Sequence, residues 1–293
     1  MSSPAVSVVI PTHQRAGSIR ASVDSVLRQT HGDFELIVVD DGSSDGTAEA
    51  LAQLAAPRLK VLRHETNRGA NAARNTGLAA AAAPLVAYQD SDDEWLPEKL
   101  ARQLARLGDA PQAVAVYCGL ALAEPDPKDG RMRLGYLPPA DGRAVEGDLT
   151  EALLVGNIVS TQTLLARRAA LQAAGGFDAA LPALQDWDMA LRLARLGPFA
   201  FVDEPLAIQR LSPNSLTRAK GKRLAAYARV LEKNMDLLEA RPKLLAFHRR
   251  ALALGHARLG ERAQALAWAR RALSGGADLR WGLRLARALA SPP

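Results

Sequence analysis

The sequence has one cysteine, few aromatic residues and no long apolar segment, and these shortages exclude several classes of protein. Because Cys118 is the only cysteine among 293 residues, the chain has no disulfide framework and no thiolate zinc cluster. The longest stretch without a charged residue, 75–89, contains Pro84 and is shorter than the ~20 apolar residues that a membrane-spanning helix needs. No basic residue precedes Arg15, so a secretory signal is not expected. We therefore expect a cytoplasmic protein.

The sequence does contain enough apolar residues for a full core, together with an uneven distribution of charge. Hydrophobic residues make up 48% of the chain, which excludes a mainly disordered protein. Residues 218–293 hold 17 basic and 5 acidic side chains, whereas residues 1–217 hold 20 basic and 26 acidic ones. The positive charge therefore lies in the carboxyl-terminal region, which points to an anionic partner such as a lipid surface, a nucleic acid or an acidic substrate.

The first hundred residues alternate between β-branched runs and Ala- and Leu-rich segments, which predicts a βαβαβαβ arrangement. Buried strands are predicted at 5–10, 34–39, 59–62 and 85–88, and helices at 19–29, 47–55, 70–82 and 97–107. Strands with crossovers this long lie parallel, with helices on both faces of the sheet. Ligands of such sheets bind at the carboxyl ends of the strands, which here are followed by loops at 11–17, 40–46, 63–69 and 89–94.

The remaining sequence predicts a less regular segment and then a helical region. The first of these contains a strand at 113–120, a loop or hairpin at 124–147, a helix at 149–155, an extended segment at 161–166 and a helix at 187–196. From Leu216 onward about four helices are expected, separated at Pro242 and at Gly275 and Gly276. The spacing of Ala253, Gly260, Ala265 and Ala272 is typical of one tetratricopeptide-like helical hairpin.

Carboxylates are concentrated in the loops that follow the second and fourth predicted strands. Asp40 and Asp41 end one strand, and Asp90, Asp92 and Asp93 follow the other. Such carboxylates repel one another unless a cation is present, and Mg²⁺ or Mn²⁺ held by one or two of them plus substrate phosphates meets that need. Helix capping is the alternative role, but it explains only one carboxylate in each loop.

Four segments in this order and spacing resemble the family 2 inverting glycosyltransferases of the GT-A fold. They are PTHQRAGSIRASVDSVLRQT, FELIVVDDGSSDGT, NRGANAARNTGL and DSDDEWLPEKL. GGFD at 175–178 and QDWDMALRLARLG at 185–197 extend the resemblance, which fades beyond Thr217. It implies an α/β, Rossmann-like, mostly parallel sheet with helices on both faces, followed by an α-helical region. The implied regions are a nucleotide-sugar-binding half at 1–110, an acceptor-binding half at 111–217 and a basic helical region at 218–293.

The resemblance also assigns residues to a nucleotide pocket and a metal. It implies that the base and ribose are lined by Pro11, Thr12, His13 and Arg15. Asp41 would accept a hydrogen bond from the base, and the same pocket would be shaped by Asn67, Arg68, Arg74 and Asn75. For Arg74 the alternative is a helix-surface arginine tied to Asp40 or Asp90. Asp92 is the implied direct ligand of Mg²⁺ or Mn²⁺, and Asp90 would lie nearer the ribose or the sugar while contributing to the metal motif.

The same resemblance implies a single general base. Asp186 occupies the family's base position at the start of a helix, and Asp188 is the alternative. Both could instead be charges that favour the helix amino terminus. Gln185 stands where the family usually has Glu, and Ser212 where it often has His. Other conspicuous residues receive weaker assignments: Trp95 and Trp187 stack on a sugar or pack in the core, and each of His31, His64, His248 and His256 is a surface or packing residue.

The expected function is transfer of one sugar from a nucleotide-diphosphate sugar to a hydroxyl acceptor in polysaccharide, lipopolysaccharide or other cell-surface glycan synthesis. Lipid-linked saccharides are among the family's acceptors, so residues 218–293 are expected to contact an anionic membrane at its inner face. Arg280, Arg284 and Arg287 share a helical face there, with Leu279, Leu283 and Leu285 placed opposite. A nucleotidyltransferase and a non-catalytic protein that binds nucleic acid are the alternatives; nucleic acid is the less favoured partner.

Overall fold

The structure is a computed structural model that describes residues 3–54, 56–125, 132–210, 220–273 and 279–290. The chain divides into two compact units, one made of Met1–Ala180 with Gln185–Pro213 and the other of Leu181–Leu184 with Asn214–Pro293. The boundary expected at Thr217, the Ser212 position and the break expected at Gly275 and Gly276 lie outside the described residues.

The first unit is built on one mixed β-sheet. Its strands are β1 Val6–Thr12, β2 Phe34–Asp40, β3 Leu59–Arg63, β4 Leu85–Tyr88, β5 Glu94–Trp95, β6 Ala115–Pro125, β7 Met132–Leu137, β8 Leu165–Arg167 and β9 Phe199–Arg210. Their order is β3-β2-β1-β4-β8-β6-β9-β5, and β7 pairs with β6. The strands β1 to β4 are parallel, as predicted. The antiparallel β8 joins them to β6, which pairs in parallel with β9.

Helices cover both faces of this sheet, which confirms the prediction. They are α1 Ile19–Leu27, α2 Thr47–Ala52, α3 Ala70–Ala80, α4 Lys99–Gly108, α5 Thr150–Val155, α6 Arg168–Ala173 and α7 Gln185–Ala194. Apolar side chains of α1, α2 and α4 form one core with Val6, Val8 and Ile10 of β1. The helix α3 packs on the opposite face, where a Cβ on Gly77 would lie only 2.3 Å from Val9 Cγ1. Gly77 thus permits a close approach of helix and sheet.

Three features of the sheet differ from the sequence prediction. The strand β3 is an edge strand whose Val61 is 44% exposed, so the prediction that it is buried was wrong. The strand β9 was not predicted because Asp203, Glu204 and Pro205 interrupt its apolar pattern. A register irregularity opposite Cys118 and Gly119 of β6 accommodates that interruption. The segment at 124–147 contains β7, which makes it a hairpin with β6.

The second unit contains five helices in the part of it that is described. They are α8 Lys220–Lys233, α9 Met235–Glu239, α10 Pro242–Arg258, α11 Arg262–Ala272 and α12 Leu279–Ala290. The predicted hairpin is formed by α10 and α11, which meet at a turn where Gly260 has φ +76°. Among the described helices, none combines the length and the apolar character needed to cross a bilayer.

The face assignment of α12 needs a correction. Leu285 is buried against Ala253, Ala257 and Ala265, whereas Leu283 is 56% exposed. Leu283 follows Arg280 by three positions and precedes Arg287 by four, so it shares the arginine face rather than lying opposite it. The side chain of Leu279 lies outside the described residues.

Candidate active site

The loop after β1 is tied to the segment after β2. The backbone N–H of Gln14 donates to Ser43 Oγ at 3.0 Å, and the N–H of Arg15 donates to Thr47 Oγ1 at 2.9 Å. The Gln14 amide also exchanges two hydrogen bonds with Ser44. These bonds hold Gln14 at φ +54°, a left-handed conformation that is uncommon outside glycine. The two loops therefore form one structured rim at the carboxyl edge of the sheet.

Several buried polar atoms, most of them at the ends of β1 and β4 and one in the turn at 161–163, lack hydrogen-bond partners among the described residues. They are Thr12 Oγ1, His13 Nδ1, Tyr88 Oη, Thr161 Oγ1 and both polar atoms of the Gln89 side chain. Buried polar groups are nearly always paired, so a cluster of unpaired ones marks a place where a ligand or water completes the bonding. Thr12 and His13 were assigned to the nucleotide pocket from the sequence. Pro11, also assigned there, is buried near the end of β1 and pairs with Val39 of β2.

Asp41 anchors the loop that follows β3. Its carboxylate accepts hydrogen bonds from the backbone N–H groups of Arg68 and Gly69, at 2.9 and 2.7 Å. It also bonds His64 Nδ1 at 2.7 Å, while His64 Nε2 bonds Thr76 Oγ1 at 2.9 Å. Burial alone would raise the pKa of Asp41, but these hydrogen bonds together hold it below its ordinary value. At 1% exposure, Asp41 holds this loop in place, and the hydrogen bond to a base that the resemblance implies stays a prediction.

The anchored loop contains Asn67, and it packs closely on the segment after β2. Asn67 is exposed, and its Oδ1 accepts a hydrogen bond from Gly69 N–H at 3.0 Å. Gly42 has φ +72°, and a Cβ there would lie 2.8 Å from the carbonyl carbon of Thr66. Only glycine meets both demands. The hydrogen bonds of the buried His64 were not predicted from the sequence, because its partners lie in other segments.

Two carboxylates of the loop after β4 are paired with arginines. Asp90 Oδ1 lies 2.6 Å from Nη2 of Arg74, a residue that is only 3% exposed. This settles the sequence alternative for Arg74 in part, because the arginine is tied to Asp90 but is buried rather than on the surface. Asp92 Oδ2 lies 3.2 Å from Nη2 of Arg15. Both arginines therefore face the carboxylates that were assigned to the metal motif.

The third carboxylate of this loop, Asp93, is buried. Gln162 Nε2 donates to it at 2.9 Å, and the N–H of Arg210 donates at 3.2 Å. Burial and the charges of Asp90 and Asp92 raise the pKa of Asp93. Burial and the charge of Asp90 also raise the pKa of Asp92, against the opposing effect of Arg15. Asp92 and Asp93 are therefore harder to ionise than isolated carboxylates, because they are buried and because the acidic side chains of this loop repel one another.

This loop fits a hard divalent cation that also binds substrate oxygens. Its donors are carboxylate oxygens, which suit Mg²⁺ and Mn²⁺, and a cation would offset the repulsion between Asp90 and Asp92. Within the described ranges no group of three or more His, Cys, Asp and Glu side chains forms a complete cage. A cation held by Asp90 and Asp92 would therefore take its other ligands from phosphate and water.

Asp186 lies in the first turn of α7 and lines a small cleft. The cleft is formed by Val159, Ser160, Thr161, Leu164, Phe177, Asp186 and Met189. Asp186 is partly buried, and its Oδ1 accepts the N–H of Trp187 at 2.9 Å. Asp188 is 1% exposed, and its Oδ2 pairs with Nη2 of Arg192 at 2.5 Å. Of the two candidate bases, Asp186 is the more exposed one, and it is the one that lines the cleft.

The two tryptophans beside these carboxylates are core residues. Each is 3% exposed. The indole N–H of Trp95 donates to the carbonyl of Gln162 at 3.0 Å, and that of Trp187 donates to the carbonyl of Leu153 at 2.7 Å. Neither ring presents a face on which a sugar could stack. Cys118 is buried as well, in the apolar core of the first unit.

Solved structures with a similar fold are glycosyltransferases. The mannosyltransferase PcManGT from Pyrobaculum calidifontis, in complex with GDP-Man and Mn²⁺, matches with a TM-score of 0.64 and 20% identity, over 99% of this chain and 80% of that one. S. aureus TarS residues 1–349, in complex with UDP-GlcNAc, matches with a TM-score of 0.62 and 19% identity, over 97% and 79% of the two chains. The fold is therefore the GT-A glycosyltransferase fold.

Comparison of sequences assigns the family. The family described as Glycosyl transferase family 2 matches residues 7–170, more than half of the chain. The uncharacterized glycosyltransferase RP339 of Rickettsia prowazekii is 30% identical over 228 residues, covering 77% of this chain and 70% of that protein. The chain belongs to glycosyl transferase family 2.

Two other relatives carry names that state a pathway or a substrate. The UDP-Glc:alpha-D-GlcNAc-diphosphoundecaprenol beta-1,3-glucosyltransferase WfgD of Escherichia coli is 40% identical over 102 residues, 35% of this chain. The putative teichuronic acid biosynthesis glycosyltransferase TuaG of Bacillus subtilis is 44% identical over 103 residues, 34% of this chain. The chain spans only 40% and 41% of the lengths of these two relatives.

Proposed function

We propose that the chain transfers one sugar from a nucleoside-diphosphate sugar to a hydroxyl group, with inversion at the anomeric carbon and with a divalent cation. One observation carries this proposal. The arginine-paired carboxylates Asp90 and Asp92 follow β4, and Phe177 connects that side to the cleft of Asp186. The Phe177 ring lies 5.4 Å from the guanidinium carbon of Arg74, which binds Asp90, and the same residue lines the cleft.

The donor nucleotide is proposed to bind at the carboxyl edge of β1, β2 and β4. Pro11, Thr12, His13 and Arg15 form one side of this site, and the loop with Asn67 that Asp41 anchors forms another. The unpaired Thr12 Oγ1 and His13 Nδ1 are suited to the ribose or base. Arg74 and Asp90 lie deeper, where the Asp90 carboxylate can bind a sugar or ribose hydroxyl. The family membership favours this donor over the substrates of a nucleotidyltransferase.

The leaving group of such a transfer is a nucleoside diphosphate, whose developing negative charge needs a counter-charge. A Mg²⁺ or Mn²⁺ ion bound by Asp92, with Asp90, would supply it. Arg15 is exposed enough, at 43%, to turn from Asp92 toward the diphosphate and add a second positive charge.

Asp186 is proposed as the general base. As the acceptor oxygen forms its bond to the anomeric carbon and the bond to the diphosphate breaks, the hydroxyl proton passes to the Asp186 carboxylate. One carboxylate suffices for this single displacement. Asp188 is not suited to the task because its charge is committed to Arg192. The acceptor is proposed to bind beside Asp186, next to the cleft that Phe177 also lines.

The acceptor is proposed to be a lipid-linked or polymeric cell-surface saccharide. The names of WfgD and TuaG support that class, since the first states a diphosphoundecaprenol acceptor and the second states teichuronic acid biosynthesis. Which sugar is transferred depends on contacts in the cleft that no motif of this chain specifies.

Peripheral contact with an anionic membrane through residues 218–293 belongs to the same proposal. Some arginines of this region have structural roles, since Arg249 donates to the carbonyl of Arg271 and Arg262 to that of Leu289, at 3.0 and 3.1 Å. On α12, by contrast, Arg280, Arg284 and the apolar Leu283 are exposed on one face. Such a face combines charges for lipid headgroups with a side chain for the interface.

A donor screen tests the proposed activity. The purified chain is incubated with Mg²⁺ or Mn²⁺ and a panel of UDP-, GDP- and dTDP-sugars, and free nucleoside diphosphate is measured. We expect release from one class of donor, dependent on the cation and lost in Asp92→Ala. Release of nucleoside monophosphate, or activity of Asp92→Ala in chelator-treated buffer, would contradict the proposal.

A further inference from the structure

The turn between α6 and α7, residues 174–178, is held by hydrogen bonds from two asparagine side chains of α3. Asn75 Oδ1 accepts the N–H of Phe177 at 2.7 Å, and Asn75 Nδ2 donates to the carbonyl of Phe177 at 2.8 Å. Asn71 Nδ2 donates to the carbonyl of Asp178 at 2.9 Å. Asn75 was assigned to the nucleotide pocket from the sequence. Its amide instead saturates both polar groups of one residue in this turn.

An arginine of α7 also holds this turn through hydrogen bonds. Arg192 Nη1 donates to the carbonyls of Ala174 and Gly176. Its Nε and Nη2 bind Asp188 Oδ2 at 3.0 and 2.5 Å. Because Asp188 is 1% exposed, this ion pair lies where the charge of Arg192 is poorly screened and its orientation is well defined. Asp188 thus orients Arg192, and Arg192 holds the turn.

Phe177, which lies in this turn, connects the proposed donor side, at Arg74 and Asp90, to the cleft of Asp186. Its ring packs edge-on against Tyr88, with centroids 5.0 Å apart and planes at 86°. The Arg74 guanidinium, which binds Asp90 Oδ1 at 2.6 Å, lies over the same ring. Phe177 also lines the cleft of Asp186. A movement of Phe177 would therefore shift both the arginine that orients Asp90 and the wall beside Asp186.

The backbone of the turn can accept the Asn75 hydrogen bonds only because residue 176 is glycine. Gly176 has φ +69°, and a Cβ there would lie 2.6 Å from Asn75 Oδ1. Gly175 has φ +81°, yet a Cβ on it would meet nothing within 4 Å. The two neighbours therefore share the conformational demand for glycine, and only Gly176 has a steric demand that comes from Asn75.

We propose that Asn75 and Arg192 are positioning residues for sugar transfer. They hold Phe177 between Arg74 and the Asp186 cleft, so that the carboxylate loop of the donor side and the general base keep a fixed separation. Neither side chain needs to contact donor or acceptor for this role. The inference rests on the proposed function, because it assigns the residues a part in that reaction.

Four variants test the proposal: Gly175→Ala, Gly176→Ala, Asn75→Ala and the double variant Asn75→Ala/Gly176→Ala. Gly175→Ala is the matched control, since it introduces the same backbone strain without a clash. We expect Gly176→Ala and Asn75→Ala to lower kcat by about 10- to 10²-fold, as small misplacements of reacting groups do. The affinity for nucleoside diphosphate with Mn²⁺ should stay within a factor of about two of wild type, because Asp90 is the one proposed donor contact linked to the turn, and the link runs through Arg74.

The double variant distinguishes a clash with Asn75 from general damage. When Asn75 is already alanine, the Gly176→Ala change should cost no more than Gly175→Ala costs in the wild-type background, so the two effects are not additive. Arg192→Lys, which keeps the charge but not the forked geometry, should lower kcat without lowering nucleotide affinity. It provides a second measurement if Gly176→Ala does not fold.

The opposite results would overturn the proposal. The proposal fails if Asn75→Ala and Arg192→Lys fold and keep the wild-type kcat. It also fails if kcat and nucleotide affinity fall equally, because that result would indicate general disorder. A wild-type chain that turns over no donor would contradict the proposed function itself, whereas an active wild type with indifferent variants contradicts only the positioning role. In Asn75→Ala the acidic limb of the pH–rate profile should also move, and in Gly175→Ala it should not.

Discussion

The guanidinium of Arg15 lies 3.2 Å from a carboxylate oxygen of Asp92, although the two residues are 77 positions apart in the sequence. The pair joins the loop after β1 to the loop after β4. Both side chains are about two-fifths exposed, at 43% and 41%, so the pair can open at little cost. Arg15 therefore competes with any cation that approaches Asp92.

This relationship predicts the effect of Arg15→Gln on metal binding. Without the competing charge, Mn²⁺ alone should bind about two- to fivefold more tightly, in line with the strength of exposed ion pairs. Binding of nucleoside diphosphate should weaken. Titration calorimetry with Mn²⁺, with and without nucleotide, measures both effects. Arg63→Gln is the control, because Arg63 pairs with Asp40 at the ends of the neighbouring strands β3 and β2. Identical Mn²⁺ affinity in wild type and Arg15→Gln would contradict the competition.

Asp186→Asn should separate binding from turnover. An amide cannot accept the proton of the acceptor hydroxyl, so kcat should fall by at least the ~10²-fold expected for loss of a general base. Calorimetry with nucleotide and Mn²⁺ should give wild-type affinity. Turnover close to wild type in this variant would remove Asp186 from the mechanism.

Asp188→Asn should behave differently, because Asp188 balances the charge of Arg192. Removing one partner of a buried ion pair leaves the other uncompensated, and we expect a loss of roughly 2–4 kcal/mol in the free energy of unfolding. Denaturant titration of both variants provides the comparison. A larger loss of kcat in folded Asp188→Asn than in Asp186→Asn would move the base to Asp188.

Lys99 predicts a pH dependence of stability. It is fully buried, its Nζ lies 3.8 Å from the ring centroid of Trp95, and it donates to Gln103 Oε1 at 2.7 Å. Burial lowers the pKa of Lys99 to about 8. In the unfolded chain a lysine has a pKa of about 10.4. Below pH 8 the folded chain therefore carries a buried charge that costs about 3 kcal/mol, and this cost disappears as the pH rises toward 10.4.

Lys99→Met removes the titrating group. Relative to this variant, the wild type should gain about 3 kcal/mol of stability between pH 8 and 10.4. Urea unfolding at a series of pH values measures the difference, with Lys60→Met on the edge strand as an exposed control. A difference between wild type and Lys99→Met that does not change over this range would show that Lys99 titrates as it does in the unfolded chain.

The exposed arginine face of α12 predicts binding to anionic vesicles. Each basic residue near such a surface contributes ~1 kcal/mol, so Arg280→Gln/Arg284→Gln/Arg287→Gln should weaken co-sedimentation by roughly 10²-fold. Binding should also fall as salt rises. The control replaces Arg20, Arg28 and Arg102, which are exposed or partly exposed in the first unit. Equal recovery with neutral vesicles, or tighter binding to DNA, would contradict membrane contact.

The sequence was sufficient to predict the elements that position the candidate site. The parallel strands β1, β2 and β4 have strong apolar runs, and their carboxyl ends had to lie at one edge. Asp90 and Asp92 could therefore be placed at that edge, whereas the roles of Arg15 and Arg74 were implied by the family resemblance. The family motifs added Asp186, whose position in the first turn of α7 follows from the helix that begins there.

The contacts that organise these residues could not be predicted. Asn75 and Phe177 are 102 positions apart, and no local pattern connects them. The Asp188–Arg192 pair has the spacing of an ordinary surface pair on a helix, so its burial becomes visible only when the turn at 174–178 is in place. His64 had no neighbours at metal-ligand spacing, and its role depends on Asp41 and Thr76.

The configuration of the first-formed product is the sharpest test of inverting sugar transfer with Asp186 as the base. The donor identified in the screen is incubated with the chain and Mn²⁺, with water or a hydroxyl acceptor, and the anomeric proton of the product is followed by NMR before mutarotation. We expect the product to appear first with the configuration opposite to that of the donor. We also expect Asp186→Asn to form this product at least ~10²-fold more slowly. A first-formed product that retains the donor configuration, or unchanged formation by Asp186→Asn, would contradict inverting transfer with Asp186 as the base.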